Sequence, residues 1–483
     1  MDAGWTQELR EPSATGVEAR LRVAGAGARA HAFMVDFYIR VALAFAWYAA
    51  GAVLHSTGAG GDATLRPPSD RDVWWTSTVV TPALVIYLLY HPVIELLLRG
   101  LTPGKRFAGL RIATLDGGIP GAGPLLLRNV FRLIDSAPLF YGVGLLMSVV
   151  NRRGQRLGDL AAGTLLVYDD GKQQAEVPRQ AGFAAVDALL DEHRDVSRRL
   201  ARARAHAPTH PDTEALEARH AALHLALRHD PQTTRQWLDR IFDQTLPHAT
   251  RELRPFLGAT LLGFVLAALA GYGLVAVEPA SIRLFASPEM MQQVGEGRLW
   301  TEGLLGVAPS SVLSGMVFAN NLLVALVAWL LGFLFAIGTV YAIGVNGVMV
   351  GALFAFSAAN GLGGAFLDFV VAHGPAEVFC LCAAGAAGAV VGEALARPGE
   401  ATRAEAFSAT VRRTAVLLPV IGGLLVMCAL IEGYVSTRDW PFTAKAAVGF
   451  GALAVAVSAL VDWRELFAGP QPRPRTPSAP ASR

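Results

Sequence analysis

Long apolar stretches alternate with short polar segments along most of the chain. A membrane-spanning helix needs about 20 mostly apolar residues, and eight stretches meet this requirement. They are residues 32–56, 73–98, 255–277, 319–342, 346–371, 375–396, 411–435 and 442–463. The pattern therefore predicts an all-α polytopic membrane protein with about eight transmembrane helices.

The composition agrees with this fold class. Of 483 residues, 53% are hydrophobic and 17% are charged, whereas about 25% of the residues of a soluble domain are charged. A net charge of +2 gives no reason to expect a nucleic-acid partner. Arginine greatly outnumbers lysine, which occurs only at Lys105, Lys172 and Lys445, and this bias indicates a bacterial origin.

The placement of basic residues predicts the orientation. They cluster before the first span (Arg20, Arg22, Arg29), after the second span (Arg99, Lys105, Arg106, Arg111) and between the sixth and seventh spans (Arg397, Arg403, Arg412, Arg413). The positive-inside rule puts these segments and both termini in the cytoplasm, with the spans in the bacterial cytoplasmic (inner) membrane. No cleavable signal peptide is expected. Whether the stretch 133–150 spans, re-enters or lies in the interface stays open, and arginines on both sides favour the last two.

The polar segments divide the chain into five parts. They are a cytoplasmic tail (1–24), an N-terminal membrane domain (25–170), a cytosolic helical insert (171–250), a C-terminal membrane domain (251–466) and a disordered tail (467–483). Apolar residues at three- and four-residue spacing predict amphipathic helices in the insert. We expect His220 and His224 of the insert to lie on a solvated helix face, because no third metal ligand is near. Three cysteines inside apolar segments are expected to be small core residues (Cys380, Cys382, Cys428).

In the N-terminal membrane domain, "RAHAFMVDFYIR" puts Arg29, Asp36 and Arg40 on one face of a helix. Asp36 is therefore expected to pair with an arginine, the usual condition for an acid at membrane depth. Downstream, "TPGKRFAGLRIATLDGG" and "RLGDLAAGTLLVYDDG" each combine a short β-like run with Asp-Gly turn chemistry. They predict a small cytoplasmic β-strand pair.

These motifs resemble the RDD family of membrane proteins over about residues 25–170. Arg29 and Asp36 correspond to the arginine and the first aspartate of that family, and Asp159 to the second. "TPGKRFAGLRI" and "RNVFRLID" are also similar to family motifs. The resemblance implies transport, since some members look like cation/proton antiporters. The alternative is that the three residues hold the first helix to the cytoplasmic strands.

Polar residues recur inside the C-terminal spans. We expect them to face the interior of the bundle, because lipid-facing amides and acids cost several kcal/mol. The predicted topology puts Asp368, His373, Glu377 and Glu432 at the extracytoplasmic end, and Asn346 and Glu393 at the cytoplasmic end; Asn320 and Asn321 also lie in a span. In "HGPAE", Pro375 favours a helix start that leaves Glu377 in the first turn. Glu377 then either binds a cation or caps the helix.

Four motifs in order resemble the SpoIIM (stage II sporulation protein M) family over about residues 235–440. They are the asparagine pair Asn320 and Asn321, the Asn346–Gly347 element, the HGxxE element at 373–377 and the IEG element at 431–433. The sporulation member is implied in anchoring a peptidoglycan-degrading complex. The fusion to an RDD-like domain prevents that role from being carried over. Small residues at spacing four predict close helix packing, at Ala384, Gly388 and Gly392 and at Gly347 and Gly351.

Two functions stay open. No nucleophile–base arrangement, phosphate loop or dinucleotide motif is seen, so we expect no enzyme and no cofactor. We assign no metal site, and an intramembrane His/Glu metal site is left open. The first hypothesis is a transporter of an ion, proton or small solute. The second is a non-enzymatic scaffold that gathers cell-envelope, peptidoglycan-related protein partners through the insert and the loop 278–318. Partners besides the bilayer are then a cation or proton, or envelope proteins; homo-oligomer formation is left open.

Overall fold

The computed structural model describes most of the membrane-embedded chain. The described residues are 8–12, 18–56, 75–115, 118–135, 144, 147–148, 151, 153–169, 183–206, 212–213, 215–216, 219–220, 223, 245–299 and 310–461. They form two compact units. The first comprises Met1–Trp237 with Phe407–Arg412, and the second comprises Leu238–Ala406 with Arg413–Arg483.

In its described residues, the first unit combines helices with two antiparallel strand pairs. Its elements are β1 Glu8–Pro12, β2 Glu18–Arg22, α1 Ala26–Ser56, α2 Thr81–Leu97, α3 Pro103–Phe107, β3 Leu110–Thr114, α4 Ala122–Asp135, α5 Leu157–Ala162, β4 Thr164–Tyr168 and α6 Phe183–His206. The predicted strand pair is present, since β3 and β4 are antiparallel with Leu110 opposite Tyr168. A second antiparallel pair, β1 with β2, lies in the segment predicted as a tail.

The second unit is a helical bundle. Its elements are α7 Leu246–Val277, α8 Pro288–Gly295, α9 Ser310–Leu330, α10 Ile337–Ala359, α11 Gly363–Val370, α12 Gly374–Ala396, α13 Arg403–Thr414, α14 Leu417–Ile431 and α15 Phe442–Leu460. A π-helical turn, Glu432–Ser436, extends α14. Helix α12 is the central one, because it packs against α7, α9, α10, α14 and α15.

The predicted number of membrane-spanning helices is confirmed. Within the described ranges, eight helices are long and apolar enough to cross a membrane. They are Gly27–Leu54 and Thr78–Leu97 in the first unit, and Leu246–Val277, Ser314–Phe333, Ile337–Ala359, Gly374–Ala396, Arg403–Ser436 and Phe442–Leu460 thereafter. The chain is therefore an all-α polytopic membrane protein that carries small strand pairs.

The predicted bounds of the fourth and fifth spans, 319–342 and 346–371, are wrong. The chain turns after Leu331–Phe333, where Phe335 and Ala336 have left-handed backbone angles (φ 55° and 65°). This turn is as apolar as the helices beside it, so hydropathy does not reveal it. Asn346, where the fifth span was predicted to begin, lies inside α10, and its amide Nδ2 donates to Ala342 O at 2.8 Å. The fifth span also ends at Ala359, and the separate helix α11 follows.

Small residues allow the helices of the bundle to approach closely, as predicted. A Cβ atom at Gly351 of α10 would overlap the carbonyl oxygen of Ala268 in α7. A Cβ at Gly388 of α12 would lie 2.7 Å from Ala328 O of α9. Backbone contact therefore holds α12 and α10 to their neighbours.

Some predictions fall at the limits of the described residues. The stretch 133–150 is described only at 133–135, 144 and 147–148, and 467–483 lies outside. In the insert, α6 confirms the first amphipathic helix, whereas the second is described in part and His224 is not. His220 is buried, with its ring 4.5 Å from that of His193. The prediction of a solvated face is therefore wrong for His220. Helix α6 packs against the part of the insert that carries His220 and shields this side chain from solvent.

Candidate functional site

The start of one helix and the end of another meet at one end of the second unit. His373 immediately precedes α12, Pro375 lies in its first turn, and Glu377 N donates to His373 O at 3.1 Å. The predicted helix start is thus confirmed. Across from it, Glu432 opens the π-helical turn that ends at Ser436. Such turns are frequent at functional sites because the extra residue redirects side chains.

His373, Glu377 and Glu432, hereafter the His–Glu cluster, converge at this point. One ligand atom from each side chain lies within 4.8 Å of the others. His373 Nε2 is 3.6 Å from Glu432 Oε2, and His373 Nδ1 is 2.9 Å from Ser436 Oγ. Glu377 Oε2 is buried and has no hydrogen-bond partner among the described residues. The structure therefore brings together three of the four residues predicted at this end.

The fourth residue, Asp368 on α11, belongs to a neighbouring ion pair. Lys445 Nζ of α15 lies 2.5 Å from Asp368 Oδ2 and also donates to Ser436 O at 3.1 Å. Lys445 is buried and was missed in the sequence analysis, since a lone lysine at the start of a span resembles an interfacial anchor. Because the Lys445–Asp368 pair is neutral overall, it provides no net positive charge to balance the two glutamates of the cluster.

Of the predicted bundle asparagines, one reaches the His–Glu cluster. The side-chain amide of Asn321 on α9 interacts with the Glu377 carboxyl group. Asn320 Nδ2 donates to Asn321 Oδ1 at 3.2 Å. Asn321 therefore lies beside the glutamate, supported by its neighbour.

The prediction that every polar residue of these spans faces inward is wrong for Asn320 and Glu393. Both are exposed on the surface of the second unit. Glu393 lies in the last turn of α12, where it forms a 3.8 Å ion pair with Arg397. An acid at a helix end can reach water at the edge of the membrane, so it needs no buried partner.

Two thiols lie one helical turn from the His–Glu cluster. Cys380 follows Glu377 by three residues on α12, and Cys428 precedes Glu432 by four on α14. Both are fully buried and unbridged, and their side chains contact one another. They occupy the core as predicted, directly beside the cluster.

In the first unit, Asp36 is held by neutral donors. Tyr90 Oη, Thr102 Oγ1 and Gly104 N donate to its carboxylate at 3.1, 2.6 and 2.9 Å. The predicted arginine partner is wrong, because Arg40 instead stacks on the ring of Tyr87, 4.3 Å away. Gly104 permits the close approach of its backbone N–H to Asp36, since a Cβ at position 104 would overlap Ala32 O and the Asp36 carboxyl group. Asp36 thus joins α1 to α2 and to the start of α3.

Asp159 lies at the centre of a buried charge network. Its carboxylate is 2.5 Å from Arg128 Nη1, 3.2 Å from Arg29 Nη1 and 3.4 Å from Arg156 Nε. Burial alone would raise the pKa of Asp159, but Arg128, Arg156 and Arg29 outweigh it and hold the pKa below its ordinary value. Arg29 also donates from Nε to Ala24 O at 2.9 Å. Because Arg29 lies in α1 and Asp159 in α5, their ion pair connects these two helices.

A second buried pair completes this network and was missed in the sequence. Lys105 Nζ lies 2.6 Å from Glu95 Oε1, and Asn129 donates to Glu95 Oε2 at 2.8 Å. The adjoining cavity of about 170 Å³ has one acidic lining side chain, Asp36, and five Lys or Arg side chains: Arg29, Lys105, Arg128, Arg132 and Arg156. Asp159 and Glu95 pair with all five of these basic side chains, so ion pairs within the unit surround the cavity.

Comparison with known families finds one match in each membrane region. Residues 23–163 match the family model described as RDD family, and residues 256–437 match the one described as Stage II sporulation protein M. Both resemblances noted in the sequence are confirmed, and the two matches occur in one chain, as expected for a fusion. The His–Glu cluster lies inside the second match. No curated protein and no solved structure matches the chain.

Proposed function

We propose that this chain, which joins an RDD-family region to a SpoIIM-family region, moves a cation or proton across the bacterial cytoplasmic membrane through its second unit. The observation that carries the proposal is the His–Glu cluster. Two ionised carboxylates close together and away from bulk water cost several kcal/mol unless a positive charge joins them. The cluster therefore gains stability when it takes up a cation or a proton.

The surroundings of the cluster support passage. It lies where α12 begins and where the π-helical turn ends α14, and helix ends line the ion sites of many transporters. The Glu432 side chain is 16% exposed, which gives an ion access from one end. With both termini in the cytoplasm, as we propose, this is the extracytoplasmic end. The proposal assigns no enzymatic activity.

The first unit has a supporting role in this proposal. Arg29, Asp36 and Asp159 each engage partners on other elements of the unit. These contacts favour the alternative in which the three residues hold α1 in place. The buried ion pairs around the nearby cavity agree with that role.

The scaffold hypothesis assigns partner binding to the cytosolic insert and, on the other side of the membrane, to the loop 278–318. Much of that segment instead belongs to the bundle: α9 begins at Ser310, and Met290 and Met291 of α8 pack against a core that contains Val275, Ile282 and Ala352. The methionines are thus engaged by the protein itself. This observation favours transport over the scaffold.

The test is a flux measurement in proteoliposomes. An imposed cation gradient is expected to change the internal pH with the intact chain, and Glu377→Gln is expected to abolish most of that change because it removes one of the two charges. Glu393→Gln is the matched control, since Glu393 is an exposed glutamate at the other end of the same helix. Its flux is expected to equal that of the intact chain.

Two results would contradict the proposal. One is the absence of flux with any monovalent or divalent cation. The other is an equal loss of flux in both variants. Either result would favour the scaffold, and deletion of residues 280–298 would then be examined for loss of envelope-protein partners.

A further inference from the structure

We infer that the His–Glu cluster binds a divalent transition-metal cation of the Zn²⁺ class, which is the cargo of the proposed transport. The sequence analysis assigned no metal site and left an intramembrane His/Glu site open; along the chain, Glu432 lies more than 50 residues from His373 and Glu377. Binding itself is independent of transport, whereas the statement that the ion is cargo rests on the proposed function.

The spacing of the ligand atoms fits one small ion. Two atoms that each lie about 2.1 Å from a tetrahedral ion are about 3.4 Å apart. His373 Nε2 and Glu432 Oε2 are 3.6 Å apart, and an oxygen of Glu377 lies within 4.8 Å of both. Small side-chain rotations would bring all three to coordination distance. Three protein ligands leave a fourth position open, as in zinc sites that exchange ligands.

The buried oxygen of Glu377 is the second observation. Glu377 Oε2 has no hydrogen-bond partner in the described chain, and an oxygen of the same carboxyl group lies within 4.8 Å of a ligand atom on each of the other two residues. A buried polar atom without a partner is unfavourable, and more so when it is charged. Coordination to a metal ion would satisfy this atom.

The contacts of His373 orient the imidazole as a ligand. When Nδ1–H donates to Ser436 Oγ, the lone pair of Nε2 faces Glu432, 3.6 Å away. A lone pair facing a carboxylate is repulsive unless a cation lies between the two. A hydrogen bond from the second ring nitrogen is the usual way in which proteins fix a metal-binding histidine.

Charge and ligand chemistry both specify the class of ion. Asp368 is neutralised by Lys445, so the ionised cluster with a neutral imidazole has a charge of −2, which one divalent cation balances. Imidazole is a ligand for Zn²⁺ and similar metals, whereas Mg²⁺ and Ca²⁺ prefer sites made only of oxygen. The thiols of Cys380 and Cys428, one turn away, are soft ligands of the same preference.

The test measures binding to the full chain in detergent after chelator treatment. Titration with Zn²⁺ is expected to show one saturable site for each chain, and Co²⁺ in its place is expected to give the intense visible absorption of a four-coordinate ion. His373→Ala, Glu377→Gln and Glu432→Gln are each expected to remove the site. Ser436→Ala, which removes only the orienting contact, should weaken it by about 10- to 100-fold.

A surface pair with the same two residue types provides the control. His248 Nδ1 is 3.5 Å from Glu252 Oε1, with His248 mostly exposed, and the double variant His248→Ala/Glu252→Gln should leave the site intact. The Co²⁺ spectrum of the unaltered chain tests the proposal even if a cluster variant fails to fold.

No saturable binding, a six-coordinate spectrum, or loss of binding in the His248 control would overturn the inference. Binding without flux would overturn the proposed function and leave the metal site standing. Proton or monovalent-cation flux without metal binding would do the reverse.

Discussion

At the scale of single residues, Asp159 shows how a family motif acquires a physical role. It is completely buried, and Arg128 lies 2.5 Å away with only 1% of its side chain exposed. A buried charge is tolerated when it is paired, but removal of one partner leaves the other uncompensated. Asp159 is therefore required mainly because Arg128, Arg29 and Arg156 surround it.

We predict that Asp159→Asn destabilises the first unit by roughly 3–5 kcal/mol, the usual cost of breaking a buried ion pair. The measurement is the free energy of unfolding in detergent at pH 7. Asp195→Asn serves as the control, since the Asp195–Arg199 pair in α6 is about two thirds exposed and should contribute less than about 1 kcal/mol. Equal effects of the two substitutions would contradict the prediction.

The pH dependence of this contribution follows from the direction of the pKa shift. The pKa of Asp159 is lowered in the folded chain, mainly by Arg128 acting against burial. Its stabilising contribution is therefore complete above the unfolded pKa of about 3.9 and is lost as the pH falls below it. The difference in stability between the unaltered chain and Asp159→Asn should shrink between pH 7 and pH 3.

At the scale of elements, α7 and α10 are held together by direct backbone contact. Gly271, Gly347 and Gly351 lie where a Cβ would overlap atoms of the opposite helix. Without a hydrophobic driving force in lipid, such close packing is what associates two helices. The glycine spacing in the sequence predicted that this face of α10 packs closely against another helix. It did not predict that α7 is that helix.

We predict that Gly351→Ala separates α7 from α10 and lowers the thermal stability of the second unit. The control is Gly344→Ala in the same helix, where a Cβ would meet nothing within 4 Å. Alanine improves helix propensity at either position, by about 1 kcal/mol, so the difference between the two variants reports the contact. Melting curves in detergent measure this difference in thermal stability. If Gly351→Ala were as stable as Gly344→Ala, the result would contradict the close approach of the two helices.

At the scale of the whole molecule, the number of spans determines the topology. Eight crossings, the number of candidate spans in the described residues, would put both termini on one side, and the arginines after α12 favour the cytoplasm for that side. The proposed topology then makes the segment after α7 extracytoplasmic and the segment after α12 cytoplasmic.

We predict that Ser287→Cys reacts with a membrane-impermeant maleimide in intact cells, whereas Glu400→Cys reacts only after permeabilisation. Both positions are exposed, and the three native cysteines are fully buried, so they add little background labelling. The same pattern of labelling at both positions would contradict the topology.

The sequence by itself determined the class of fold. The eight spans, the β3–β4 pair and the helix start at Pro375 depend on local hydropathy, strand pattern and turn chemistry, which adjacent residues carry. The bounds failed where the local signal was uninformative, as in the apolar turn at Phe335 and Ala336. The exposure of Asn320 and Glu393 was also mispredicted, because the presence of a polar residue in a span does not show whether it lies on the inner or the outer side of the helix.

Only the tertiary structure decided which polar groups meet. Helix packing brings Glu432 to His373 and Glu377, gives Asp368 to Lys445, and pairs Asp36 with Tyr90 and Thr102. These partners lie on different helices, and their contact depends on the rotation and depth at which each pair of helices packs. Those quantities are set by the close contacts of many small residues together, so no local stretch of sequence contains them.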